Sequence, residues 1–161
     1  MDNVYFAKVN EGAIIPSKRE SDAGYDIYAN IKDDICIYPN QIKMIPTGLA
    51  SAFDDEYVLL LRERSSSGTR GLSLRCGVID SSYRGEIFVP INNTTNKTIL
   101  ITNLSDKCYE TPELSVYSTK KAICQGLFLP VPKLQVNEIT YDELLTIDSD
   151  RGVGALGSSG K

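Results

Sequence analysis

Asp80, Ser81, Ser82, Tyr83 and Arg84 stand in a row between two apolar, β-branched runs, Val78-Ile79 and the stretch over residues 87–91. A carboxylate, two hydroxyls, an aromatic face and a cation, closed by Gly85, equip a turn to read a small molecule and to move a proton. A second group, Arg64-Ser65-Ser66-Ser67-Gly68, sets one cation beside three hydroxyls and a glycine. Such a set suits a phosphate, because charge-assisted and neutral donors come at close range. A third, Asp26 after Gly24-Tyr25, puts a carboxylate at the mouth of the alternating run Ile27, Ala29, Ile31. In the tail, Arg151 leads into Gly152, Gly154 and Gly157 with Ser158 and Ser159, an anion-binding set in a stretch whose composition is also that of a linker. The chain has no histidine, so acid–base chemistry falls to carboxylates, and His-dependent triads and His metal ligands are excluded.

These groups need elements to hold them. The chain has 161 residues, the size of one domain, and a chain of this length buries roughly 70% of its unfolded surface. Hydrophobic residues at 42% and charged ones at 24% place it among ordinary globular chains. A net charge of −4 gives no basic footprint and argues against nucleic acid as the partner. Cys36, Cys76, Cys108 and Cys124 form no C-x-x-C pair, which disfavours structural zinc and suits reduced thiols. No apolar run reaches membrane-span length, and the first ten residues lack the regions of a signal peptide, so a cytoplasmic protein is expected, with no membrane partner.

Alternating apolar runs over residues 4–9, 27–31, 35–38, 42–45, 58–61, 99–104 and 127–131, separated by Pro, Gly, Asn and Asp turns, predict an all-β sandwich or barrel. Pro130 and Pro132 end the last run and favour an edge. Residues 72–91 read as a β-hairpin with the polar turn at its tip. The one predicted helical turn is residues 141–145. Residues 104–120 are expected to form an inserted excursion.

Gly77-Val78-Ile79-Asp80-Ser81-Ser82-Tyr83-Arg84-Gly85 closely resembles the third signature motif, G-V-I-D-x-x-Y-R-G, of the trimeric deoxyuridine triphosphatases (dUTPases). The string Ala23-Gly24-Tyr25-Asp26 is similar to the first motif, A-G-x-D. Arg64, Ser65 and Ser66 resemble the second, with Glu63 in place of its proline and Ser67 extra. Ile123 and Gln125 match part of the fourth, G-D-R-I-A-Q, where Ala122 stands in place of the arginine. Arg151, Gly152, Gly154, Gly157, Ser158 and Gly160 match the fifth, R-G-x-G-G-F-G-S-T-G, with Ala155, Leu156 and Ser159 departing.

The resemblance implies a jelly-roll-like (β-clip) fold, a β core over about residues 1–145, and a glycine-rich arm over about 146–161 that closes the site. It further implies a homotrimer with C-terminal strand exchange and active sites shared between subunits. The implied reaction is hydrolysis of dUTP to dUMP and pyrophosphate. Asp80 would be the general base, and Asp26 would hold Mg2+ through water. Arg64, Ser65, Ser66, Gln125, Arg151, Ser158 and Ser159 would bind phosphates, with Gly157 beside them in the closing arm. Tyr83 would pack on the deoxyribose and the backbone of Val78 and Ile79 would pair with uracil. Leu156 replaces a phenylalanine that covers the base, which forfeits roughly 0.5–1.5 kcal/mol of stacking. Two alternatives share the fold: a dCTP deaminase, and a regulatory module that senses nucleotide without turnover.

Overall fold

The computed structural model describes residues 3–154. Its elements run β1 (Tyr5–Lys8), β2 (Tyr25–Ile27), β3 (Ile35–Ile37), β4 (Ile42–Pro46), β5 (Leu49–Ala52), β6 (Tyr57–Arg62), α1 (Ser65–Gly68), β7 (Leu72–Leu74), β8 (Val78–Ile79), β9 (Phe88–Asn93), β10 (Thr98–Thr102), β11 (Tyr109–Glu110), β12 (Leu114–Ser118), β13 (Cys124–Pro130) and α2 (Tyr141–Leu145). The chain is all-β, as its turn spacing predicts, and α2 falls on the predicted helical turn. The serine-rich turn α1 is an addition to that reading. No helix among the described residues is long and apolar enough to cross a membrane.

The strands form four small sheets, ordered β1-β5, β11-β12-β10-β3, β2-β13-β6-β8 and β4-β9-β7. Pairing is antiparallel except between β10 and β12. Ile27, Ile37, Ile45, Leu59, Val89, Ile99 and Tyr117 point from these sheets into one shared core. In β9, Val89, Ile91 and Asn93 face it on alternate positions, and Pro90 between them is buried as well.

The predicted hairpin forms only at its base, where β7 pairs antiparallel with β9. β8 pairs with β6, whereas β9 pairs with β4 and β7, so the two runs belong to different sheets and residues 80–87 arch between them. A two-residue strand carries too little pattern to name its partner. The arch is tied down instead by the β4–β5 corner. Thr47 Oγ1 donates to Ile87 O at 2.6 Å, the Gly48 N–H donates to Glu86 Oε1 at 2.8 Å, and Arg84 donates to Ser51 O at 3.3 Å.

The excursion is likewise more structured than expected. Within it β12 lies along β10 with Val116 and Tyr117 buried, and β11 pairs with β12, leaving residues 103–108 and 111–113 outside the strands. Strand β13 is an edge only in part, paired on both sides at Gln125 and Gly126, with β2 alone at Cys124 and with β6 alone beyond. The sheets end at Pro130, short of the boundary near 145 drawn from the sequence, and residues 131–153 are exposed.

Asn93 is fully buried, and its side chain joins separate elements. Its Nδ2 donates to Ile37 O at 2.8 Å and Lys97 O at 2.7 Å, and its Oδ1 accepts from the Thr95 N–H at 2.9 Å. Asn93→Ala strands those buried groups and is expected to cost roughly 2–4 kcal/mol in denaturant unfolding; a loss well below 1 kcal/mol would contradict this role. Gly77 sits at φ +128°, and an added Cβ would lie 2.8 Å from Leu61 O. Gly77→Ala is expected to destabilise by roughly 1–3 kcal/mol, read as a shifted unfolding midpoint, because both the dihedral and the contact are forbidden to alanine. An unchanged midpoint would contradict that account.

Candidate active site

The register of β2, β13 and β6 sets the site. Gln125 lies directly opposite Asp26 on one side and Arg62 on the other, and directly opposed residues share a face. Two residues past Arg62 the chain leaves the sheet through Arg64 and turns in α1. Ser67 is the buried residue of that turn, its hydroxyl accepting from the Arg64 N–H and donating to Arg64 O, both at 3.1 Å. Ser65 and Ser66 remain outside and line a cleft together with Asp26, Arg64 and Gln125. Five of the residues singled out from the sequence therefore meet in one place.

The cleft measures about 890 Å³. Arg64 Nε lies 2.9 Å from Asp26 Oδ1, with both side chains about one-third exposed, so the pair orients the two groups and contributes at most about 1 kcal/mol. Gln125 Nε2 donates to Glu63 O at 2.9 Å. Glu63, which stands in place of the motif's proline, accepts from the Leu74 N–H at 2.8 Å and so anchors β7 to the start of the turn. Beside Gln125, burial pushes the Cys124 thiol up to about 12, which keeps it neutral and inert as a nucleophile.

The far wall of the cleft comes from residues missed by the sequence reading. Lys18, Arg19, Ser21 and Asp22 belong to a loop read only as exposed, yet they face Arg64 and the serines across the opening. Asp22 accepts from Arg19 Nε at 2.8 Å, and this bond holds its carboxyl below the usual range. The one available signal was the Lys18-Arg19 pair within two residues of Ser17 and Ser21.

Asp80, Val78, Ile79 and Tyr83 are not in this cleft. β8 runs away from it: Ile79 pairs with Leu59, and one further step brings Asp80 level with Val58, four residues from Arg62 along β6. At the ordinary rise per residue, that is about 13 Å along the sheet. Tyr83 folds back on its own arch, donating to Glu86 O at 3.0 Å. Strand β8 is the last in its sheet, so its outer backbone edge is unpaired among the described residues. Arg151 is exposed and donates to Gly154 O at 2.8 Å, outside the cleft. Leu156, Gly157, Ser158 and Ser159 lie outside the described residues.

Among the described residues there is no group of three or more His, Cys, Asp or Glu side chains that could cage a metal. Two carboxylates line the cleft, Asp26 paired with Arg64 and Asp22 paired with Arg19. Such a donor set does not build an all-protein site. It does suit Mg2+, which keeps several waters and binds through one or two carboxylates plus substrate phosphates.

Comparison with known proteins agrees with these features. A family model described as dUTPase matches residues 10–105. The deoxyuridine 5'-triphosphate nucleotidohydrolase of Nautilia profundicola is 32% identical over 158 residues, covering 96% of each chain. That of Mycobacterium marinum is 32% identical over 158 residues, covering 95% of this chain and 92% of its own. Among solved structures, the Staphylococcus bacteriophage 80alpha dUTPase with dUPNHPP superposes with a TM-score of 0.78 at 23% identity over 99% of both chains. The dUTPase of phage phi11 of S. aureus, described as showing a species-specific insert, gives 0.68 at 21% identity over 85% of this chain and 96% of its own. By sequence and by fold, this chain belongs to the dUTPase family.

Proposed function

We propose that the chain hydrolyses dUTP to dUMP and pyrophosphate in sites shared between protomers of a homotrimer. The observation that carries this reading is the convergence of Asp26, Arg64, Ser65, Ser66 and Gln125 on one cleft in a chain of this family. Arg64 neutralises phosphate charge while the Ser65 and Ser66 hydroxyls and the Gln125 amide donate to phosphate oxygens. Lys18 and Arg19 add two cations from the opposite wall. Mg2+, when bound through water to Asp26, would neutralise the triphosphate and fix its conformation.

Asp80 takes a proton from the attacking water as its oxygen bonds to the α-phosphorus. The bond from that phosphorus to the bridging oxygen breaks, and pyrophosphate leaves with the bonding pair. The free backbone edge of β8 at Val78 and Ile79 supports pairing with the uracil edge. Tyr83, held by its bond to Glu86 O, would pack on the deoxyribose and leave no room for a 2′-hydroxyl. Exclusion has to be steric, since an apolar pocket that merely tolerates a hydroxyl discriminates by only about 10².

Two features support sharing between protomers. Asp80 lies about 13 Å along the sheet from the phosphate cleft of its own chain, too far to serve it. Leu134 and Val136 are 81% and 93% exposed in the segment after β13, apolar surface that strand exchange would cover. The C-terminal arm, with Arg151, Gly157, Ser158 and Ser159, would reach the phosphates of a site it helps to close, and Leu156 would cover the base.

Incubation with dUTP, dTTP, dCTP and UTP, with and without magnesium, tests the reading. Pyrophosphate is expected from dUTP alone and only with the metal, and Asp80→Asn is expected to lower kcat by roughly 10²–10⁴-fold. Ammonia released from dCTP would replace this reading with a deaminase. Nucleotide binding without turnover would replace it with a sensor, and full activity in Asp80→Asn would remove the base.

A further inference from the structure

Behind the Arg64 wall of the phosphate cleft lies a second cavity of about 600 Å³, lined by Arg64, Arg70, Lys107, Lys120 and Lys121 against the single carboxylate of Asp26. Five cations around one cavity are out of character for a chain of net charge −4, and like charges at close range repel unless an anion sits among them. Three of the five have partners. Arg64 meets Asp26, Arg70 lies 3.3 Å from Glu110, and Lys120 pairs with Asp106. Glu110 is shared, since Lys97 also reaches it at 3.0 Å.

Lys107 and Lys121 make no salt bridge among the described residues, and both are exposed. The floor is Tyr117, whose hydroxyl donates to Ala122 O at 2.8 Å. Burial pushes this phenol up to about 12, so it lines the cavity uncharged. Lys107, Lys120 and Lys121 come from the segment beyond residue 105, where the match to the dUTPase family model ends. Lys107 and Lys120 belong to the excursion, while Asp26, Arg64, Ser66 and Arg70 come from the matched stretch, so the cavity forms where the excursion meets the first cleft.

We propose that this cavity is a second anion site that takes a phosphate-bearing anion of pyrophosphate size, bound by Lys107 and Lys121 and by the Arg70 guanidinium. A volume of about 600 Å³ is in the range of small-ligand sites and leaves room for a hydrated diphosphate. Arg64 stands in the wall common to both cavities, so occupancy of one is sensed at the other. The anion could be product held after cleavage or pyrophosphate free in solution; the charge recognition is the same.

Calorimetric titration of inorganic pyrophosphate into the full chain, with the first cleft saturated by the imido analogue of dUTP, tests the site. The wild-type chain is expected to take up pyrophosphate. A Lys107→Ala, Lys121→Ala double variant is expected to bind it at least roughly tenfold more weakly, the loss implied by removing two charge-assisted contacts, with analogue affinity unchanged within about twofold. No uptake by the filled protein, or uptake indifferent to the two lysines, would overturn the proposal. Inorganic phosphate serves as a second probe and is expected to bind more weakly; equal affinity would overturn the size assignment. Failure of the analogue to bind would count against the dUTP reading alone, because titration of the unliganded chain still reports this cavity through its lysine dependence. Titrating the wild-type chain with pyrophosphate after turnover of dUTP separates retained product from free anion by the sites already filled.

Discussion

Antiparallel pairing of β13 between β2 and β6 is the constraint on which the cleft depends. It sets Asp26, Gln125 and Arg62 in one row, and because successive side chains alternate, a slip of β13 by one residue would turn Gln125 to the face opposite Asp26 and Arg62. The same alternation keeps the register from slipping. Ile27, Leu61 and Cys124, the neighbours of that row, are buried to 1% exposure or less, so a slip would place apolar side chains in water and polar ones in the core. The energy of core burial thereby becomes positional order in a polar site.

Charge distribution follows the same division of labour. The chain as a whole is acidic, yet its cations collect around two adjoining cavities: Lys18, Arg19 and Arg64 at one, Arg64, Arg70, Lys107, Lys120 and Lys121 at the other. Net charge argued only against an extended polyanion as partner. It could not report local sign, because that depends on which loops fold together. The Arg64–Asp26 pair joins the two cavities and opposes a cation to a carboxylate that lines both.

What could be read from the sequence was chemistry in short strings; what could not was pairing over distance. Asp26, Arg64, Ser65 and Ser66 were legible because each sits in a stretch whose residue types suit one task, Gln125 only through its match to the fourth motif, and the fold brings all five together. Ser67 could not be told from Ser65 and Ser66 by type, and only its burial inside α1 separates them. The arch over residues 80–87 was misread as a hairpin because local turn chemistry is the same whether the chain returns to its own sheet or crosses to another. The hydrogen bonds that decide it come from Thr47, Gly48 and Ser51, more than thirty positions away. Lys18 and Arg19 carried no pattern of their own, and their part in the cleft comes from the turn that faces α1.

The proposed function requires a site completed between chains, with the carboxylate at the arch of one protomer serving the arginine cleft of another. Activity of a mixed assembly measures this directly. Asp80→Asn and Arg64→Ala chains, each inactive alone, would be unfolded together and refolded as mixed oligomers. Random assortment between subunits predicts recovery of about a quarter of wild-type dUTP turnover, from sites that draw the intact carboxylate and the intact arginine from different chains. A mixture as inactive as its parents would contradict the account.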